Sequence, residues 1–562
     1  MHLITTSSGS AVASGARIWL VPCVLFLAAC ALYGIHLDRL PHPDELYQIL
    51  AAQGLLATGE PRIAEGLYTR AYAQTWLIAQ SLALAGDNLI AARLSSVVGI
   101  AATVTLLFVW LRSVAGPAAA WTAALLFALS PFAVLTAQFA RIYGVQSLAF
   151  LAGSLCLYQA ASATGPLWRR AAWALVALPP LLLALHLQPT TLLGCVGLGL
   201  WLAGAVGLPW LRDPAVPARR KQLVLLGLVA AGALVLLAAI ATGLLAGLWH
   251  SYRWTPLFNR EQQDSFWFYH LWYTLLYPSL WPLTGLLALV AIAVHPRAGS
   301  FALLVFAVGF LLNSFAGPKS LRYIAYAQPF LFVLWGIGLV SLWPVLVRAL
   351  GELAGRLEAI TRPAFPWVGG LGRLLVAGAL LFLAFANPAW LRTATLLAEI
   401  DLPGEAPPAD WLAAKDRLQP WLAQADVVVT TEELGALYYL GRYDIRFSPS
   451  KLEEVDDSNE RREFGADPRT GRPLIATPES LALAFDCYDR GLFILLSRQW
   501  GFAHLFSPAV RELILARTVP VELPRASHMM AYRWERPAGT PKPAACAGLP
   551  PLPSAAKAQP AR

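Results

Sequence analysis

Long apolar runs, each near the ~20 residues that cross a bilayer, fill positions 17–36, 88–111, 118–137, 143–162, 171–186, 190–208, 221–248, 272–294, 299–316, 323–347 and 371–387. The pattern predicts about eleven membrane-spanning helices. Most intervening loops are short, but the first, 37–87, is long. Within it "HPDELYQILAAQGLLATG" sets Leu46, Ile49, Leu50, Leu55 and Leu56 at near-helical spacing, which predicts an amphipathic helix on the membrane surface. A second piece, "AYAQTWLIAQSLALAG", is too short and too polar at its start to span. The loop 250–279 is crowded with Trp and Tyr, which suits an interfacial belt and a sugar-binding surface equally.

Beyond about residue 388 the texture changes. "DVVVTT", "RPLIAT" and "RGLFILLS" read as strands, alternating with amphipathic stretches such as "WLAAKDRLQPWLAQ" and "SPAVRELILA". The alternation predicts a small α/β domain with a largely parallel sheet over 388–535. No Gly-rich loop opens its helices, so no nucleotide site is expected there. The Pro/Ala-rich remainder, 536–562, is expected to be disordered.

Composition agrees: 57% of the 562 residues are hydrophobic and 13% charged, against roughly 25% charged in soluble domains. The expected fold class is therefore a polytopic α-helical membrane protein with a C-terminal extracytoplasmic α/β domain. The net charge of +9 is distributed as topology rather than as a nucleic-acid footprint. Arg112, Arg169–Arg170, Arg219–Arg220–Lys221, Arg297 and Arg348, Arg356 and Arg362 fall in alternate loops, as cytoplasmic loops require. With residues 1–16 inside, the loop 37–87 and everything after 388 lie outside.

Cys23, Cys30, Cys156 and Cys195 sit in apolar spans, and Cys487 and Cys546 are too far apart in sequence for a disulfide to be assigned. "LAAC" at 27–30 imitates a lipoprotein cleavage site, but the apolar run continues beyond Cys30, so a retained first span is expected.

The candidate chemistry lies in the outward loops. In "HPDEL", Pro43 suits a helix start, where Asp44 and Glu45 would face the positive helix end. A carboxylate there could equally take a proton from an acceptor hydroxyl as general base. "QFARIYGVQS" adds Arg141 and Tyr143, and "GPKSLRYIAYAQP" adds Lys319, Arg322 and Tyr323. "GLYTRAY" adds Tyr68, Arg70 and Tyr72 to the carboxylates' own loop. Cations on the outward side, where basic residues are disfavoured, suit a phosphate gripped by Arg. Carboxylates and cations converging on one face point to an anionic lipid-linked substrate. His42, His186, His250 and His270 leave a divalent metal cofactor open, although no HExxH or CxxC pattern is present.

The order "HPDE", "GLLATGEP", "LYTRAYAQTWLIAQSLALAGDNLIAARLSSVVG", "LLFALSPFAVLTAQFARIYGVQSLAFLAG" resembles the membrane glycosyltransferases of the GT-C fold. The likeness is to the family of protein O-mannosyltransferases and bacterial lipid A aminoarabinose transferases (glycosyltransferase family 39). It covers roughly 15–160 and returns at 315–340. It implies a transmembrane catalytic domain over 17–387 that moves a sugar from a polyprenyl-phosphate carrier to an extracytoplasmic acceptor, whether glycolipid, polysaccharide or protein. It further implies Asp44 as the base with Glu45 assisting, and Arg141, Lys319 and Arg322 on the donor phosphate. Tyr68, Arg70, Tyr72, Tyr143 and Tyr323 are the neighbouring substrate-binding candidates. One departure stands out: where better-known members carry a "KPPL"- or "HPPL"-like stretch, this chain reads "YTRAYAQ", with Arg70 the nearest match.

Two rivals remain from the residues themselves. A lipid or solute transporter would carry ionisable residues within its spans, whereas these spans are almost free of them. An envelope assembly protein would leave the first-loop pattern unexplained. The Ala, Leu, Gly, Pro and Arg bias suggests a bacterium with GC-rich DNA, and hence the inner membrane.

Overall fold

The computed structural model describes residues 9–253, 265–361, 386–400, 408–449, 463–537 and 539–552, with 374, 378, 382 and 452 singly. The first helices are α1 (Gly9–Tyr33), α2 (Pro43–Thr58), α3 (Tyr72–Ala85), α4 (Leu89–Ala115), α5 (Pro117–Ala128), α6 (Pro131–Ala137), α7 (Tyr143–Ser162) and α8 (Leu167–Leu187). Among the described residues, six helices are long and apolar enough to cross a membrane, or seven if α5 and α6 form one span bent by 60°. The chain is thus multi-pass, but with fewer qualifying spans than the eleven expected. Ser130 and Pro131 break the run 118–137. The run 272–294 divides into Phe268–Leu276 and Thr284–Val294, with Pro278 and Pro282 between them. The predicted span 371–387 falls mostly outside the described residues.

Helix α4 runs through the middle of the helical domain, with Leu107, Phe108, Trp110 and Leu111 all buried. It meets α7 closely: a Cβ on Gly99 would stand 2.8 Å from the Gly144 backbone. That crossing fixes the start of α7, and with it the segment 138–142. Gln138 Nε2 ties the same segment to α1 by donating to the carbonyls of Tyr33 (3.2 Å) and Ile35 (2.7 Å).

The C-terminal domain is built on seven strands: β3 (Val427–Thr430), β4 (Ile445–Phe447), β5 (Gly465–Ala466), β6 (Pro473–Ile475), β7 (Arg490–Leu496), β8 (Val519–Val521) and β9 (Met529–Glu535). Their order is β5-β6-β4-β3-β7-β9-β8. The centre β6-β4-β3-β7 is parallel, while β5, β9 and β8 pair antiparallel at the flanks. The sheet is therefore mixed rather than largely parallel, because the chain closes both edges with returning strands.

Alternation along the strands divides the sheet's two faces. Val427, Val429 and Phe493 belong to a core with helices Pro478–Cys487 and Pro508–Arg517. Val428, Leu492 and Ile494 share a core with Leu46, Leu50 and Ile78 of α2 and α3. The amphipathic first-loop helix thus buries its apolar side against the α/β domain.

Polar contacts lock the same junction. Two short strands of the first loop, β1 (Arg62–Ile63) and β2 (Gly66–Leu67), pair antiparallel. Between them, the N–H groups of Glu65 and Gly66 donate to the Thr470 carbonyl at 3.1 and 2.9 Å. Arg472 pairs with Glu65 at 2.8 Å. Tyr47 donates to Glu433 at 3.0 Å, and Arg446 bridges Glu433 (2.8 Å) and Asp467 (3.1 Å). Gly66 is required here, since a Cβ would come within 2.6 Å of the Arg469 backbone.

Cys487 and Cys546 form a disulfide, against the expectation from their spacing. The chain folds back after β9, so residues 539–552 of the Pro/Ala-rich segment are fastened to helix Pro478–Cys487 rather than disordered. Residues 553–562 lie outside the described residues. Closing a loop of this size constrains the unfolded chain by roughly 2–4 kcal/mol. Cys546→Ser is accordingly expected to lower the thermal midpoint of the α/β domain under non-reducing conditions, and reductant should have no further effect on the variant.

Candidate active site

The N-terminus of α2 organises the site. Pro43 occupies the first turn, and His42 is the N-cap: its Nδ1 accepts from the Asp44 N–H at 3.1 Å, while the His42 N–H donates to Glu45 at 2.9 Å. The capping reading of "HPDEL" is thus correct for Glu45, which does more besides. Its carboxylate takes both Nε and Nη2 of Arg93 at 2.8 Å, and the Ala140 N–H also at 2.8 Å. Arg93 uses its remaining group on the carbonyls of Leu37 and Arg39. Glu45 and Arg93 are 2% and 0% exposed. Burial works against the Glu45 anion, but Arg93 and the two backbone N–H groups outweigh it and hold its carboxyl below the usual range. Both oxygens are engaged, so Glu45, though it lines the cavity described below, joins α2, α4, the 37–39 turn and the 138–142 segment through Arg93 and Ala140.

Asp44, one residue earlier, points the other way. Arg322 meets its carboxylate at 2.6 Å, with both side chains about one-third exposed. Arg141 donates to the Asp44 carbonyl at 2.9 Å and to the Tyr68 hydroxyl at 3.4 Å. Burial opposes the Asp44 anion, yet Arg322, Arg141 and His42 prevail and keep its carboxyl well below the ordinary range. Phe139, Tyr143 and Tyr323 surround the Arg322 guanidinium at 5.6–6.0 Å from their ring centres. Sequence loops separated by up to 278 residues therefore meet at Asp44, Arg322 on its carboxylate and Arg141 on its backbone carbonyl.

A cavity of about 470 Å³ lies between this cluster and the α/β domain. Arg39, His42, Tyr143, Arg322 and Arg392 line it on the helical side. Trp411, Glu432, Gly435, Tyr439 and Arg498 line it on the other. Asp44 adjoins the cavity through His42, Pro43 and Arg322 rather than lining it directly.

The remaining candidates are placed as follows. Lys319 is buried, with its ammonium donating to the Ala316 carbonyl, and it does not line the cavity. Tyr68 stacks on Tyr47. Arg70 reaches Gln188 at 3.5 Å, and Tyr72 is exposed at the start of α3. Among the histidines, His186 accepts from the Ala73 N–H and His270 from the Trp281 indole, while His250 is exposed near the end of helix Leu244–Arg253. Among the described residues no three His, Cys, Asp or Glu side chains gather as a metal site. Two residues escaped the sequence reading. Arg93 lies inside an apolar span, where a charge requires a partner, and that anomaly was the available signal. Glu432 carried none.

No family profile matches the chain, and no curated protein matches it by sequence. Its architecture, however, is the GT-C fold. ArnT from Cupriavidus metallidurans, in the structure bound to undecaprenyl phosphate, superposes with a TM-score of 0.57 at 15% identity over 93% of this chain and 98% of that one. The same protein in its apo state gives 0.54 at 15% identity over the same shares. The archaeal oligosaccharyltransferase AglB from Archaeoglobus fulgidus, in complex with an inhibitory peptide and a dolichol-phosphate, gives 0.53 at 11% identity, covering 89% of this chain and 73% of that one.

Proposed function

We propose that the chain is a membrane glycosyltransferase that moves a hexosyl or pentosyl group from a polyprenyl-phosphate carrier to an extracytoplasmic acceptor. The observation that carries this reading is the Asp44–Arg322 pair beside a cavity between the two domains. The polyprenyl phosphates bound by ArnT and AglB support the donor class. The basic loops noted above, and a disulfide in the α/β domain, support an inner-membrane protein with that domain outside, where thiols are oxidised.

The acceptor hydroxyl attacks the anomeric carbon while Asp44 takes its proton. The carbon–oxygen bond to phosphate breaks, and polyprenyl phosphate leaves with the electron pair. In the resting protein Arg322 occupies Asp44 and makes it a weak base. The donor's phosphodiester competes for the same guanidinium, and its oxygens gain a second negative charge as the bond to the sugar breaks. Arg322, moving to the phosphate, would stabilise the leaving charge and return Asp44 toward normal basicity. Arg141 keeps Asp44 and Tyr68 in place through this exchange, whereas Lys319, buried on the same loop as Arg322, would reach the donor only by leaving the Ala316 carbonyl. Glu45 acts as a positioning residue.

The test is mass spectrometry of lipid extracts from cells lacking the gene, complemented with wild type or with Arg322→Ala. A polyprenyl-phosphate sugar should accumulate in the null strain, remain high with Arg322→Ala, and clear with wild type. Indistinguishable profiles in null and complemented cells would discard the donor class.

A further inference from the structure

The cavity wall formed by the α/β domain is itself built as a binding site. The chain leaves β3 toward β4 on one side and later returns to β7 on the other, with both neighbours parallel to β3. Such a topological switch point opens a crevice at the strands' carboxyl ends, where α/β sheets take ligands. Here those ends face the cavity. Thr431 and Glu432 directly follow β3, and Gln499 lies in the turn after β7. Gln499 accepts from the Thr431 hydroxyl at 2.6 Å and donates to Glu432 Oε1 at 2.7 Å. Trp411 and Tyr439, with near-parallel rings, supply the apolar part of the same wall. A fixed carboxylate beside aromatic rings matches a sugar, whose hydroxyls donate and whose C–H faces are apolar.

We propose that Glu432, positioned by Gln499, binds ring hydroxyls of a saccharide acceptor across the cavity from Arg322. The inference deepens the transfer reading and rests on it for the word acceptor. The donor's phosphate is met by the helical domain, so the opposite wall is left for the molecule arriving from the aqueous side. Burial and the adjacent Glu433 push the Glu432 carboxyl up to about 7, against the pull of Arg446, Arg498 and the Gln499 hydrogen bond. Arg39 and Arg392 line the helical wall of the same cavity. Saccharide binding should therefore strengthen as pH rises through neutrality and Glu432 ionises.

The test is saturation-transfer difference NMR on the full chain in lipid nanodiscs, using methyl glucoside, galactoside, mannoside and arabinoside. Wild type and Asp44→Asn are expected to transfer saturation to the ring protons of at least one glycoside. Glu432→Gln should bind it about tenfold more weakly and lose the pH dependence. The variant remains foldable, because its amide carbonyl can still accept from Gln499. No ring-proton transfer in wild type, or unchanged affinity in Glu432→Gln, would overturn the subsite. A second arm separates acceptor from donor: Asp44→Asn/Glu432→Gln protein should retain as much co-purifying polyprenyl-phosphate sugar as Asp44→Asn alone, and depletion would overturn the acceptor assignment. Glu432-dependent glycoside binding without lipid accumulation in null cells would keep the saccharide site and discard the transfer reading. The reverse pattern would discard the site alone.

Discussion

Asp44→Asn is expected to slow sugar transfer by about 10²–10⁴-fold, the usual contribution of a positioned general base, without unfolding the protein. The substitution nearly preserves shape, and the amide can still accept from Arg322. The lost ion pair is about one-third exposed on each side, a setting in which such pairs contribute little to stability. The measurement is transfer from a purified polyprenyl-phosphate sugar by detergent-solubilised protein, with a thermal melt run in parallel. A folded Asp44→Asn protein with near-normal transfer would remove Asp44 as the base.

Glu45→Ala should instead act on folding. It leaves Arg93 buried without its counter-charge, a loss that typically costs about 3–5 kcal/mol. The Glu45→Leu/Arg93→Leu double variant should be less destabilised than Glu45→Ala alone, because no charge is then stranded. Equal melting losses in the two variants would contradict the coupling. The pH dependence follows from the same pair. The folded carboxyl is held below its unfolded value, so its stabilisation is fully present above the unfolded pKa of about 4.3. It is lost as pH falls through the lower folded value, and wild type should accordingly lose stability in acid below about pH 4.

Much of this site could be read from residue types alone. A carboxylate and arginines expected on one side of the membrane, in loops hundreds of residues apart, need a common reason to be there. Arg141 and Arg322 do meet at Asp44. The neighbouring acid was harder, because Asp44 and Glu45 look equivalent in sequence. Helical geometry turns them roughly 100° apart, and only the partner of Arg93 reveals which one is sealed inside. Among the described residues six or seven helices qualify as spans against the eleven expected, in part for a similar reason. Hydropathy sums apolar residues but does not register a proline break such as Ser130–Pro131, which turns one run into two helices at 60°. Glu432 was invisible because its significance depends on strand order, which no local pattern encodes.

The clasp between residues 65–66 and 470–472 has a practical corollary for protein engineering. Because the sheet shares its core and its ion pairs with the first loop, the α/β domain is not an interchangeable module. A chimera that exchanges 408–552 alone would strand Glu65, Tyr47 and the apolar side of α2 against a foreign surface. Grafts should carry residues 43–85 together with the domain, and the natural crossover points lie in the helical domain beyond them.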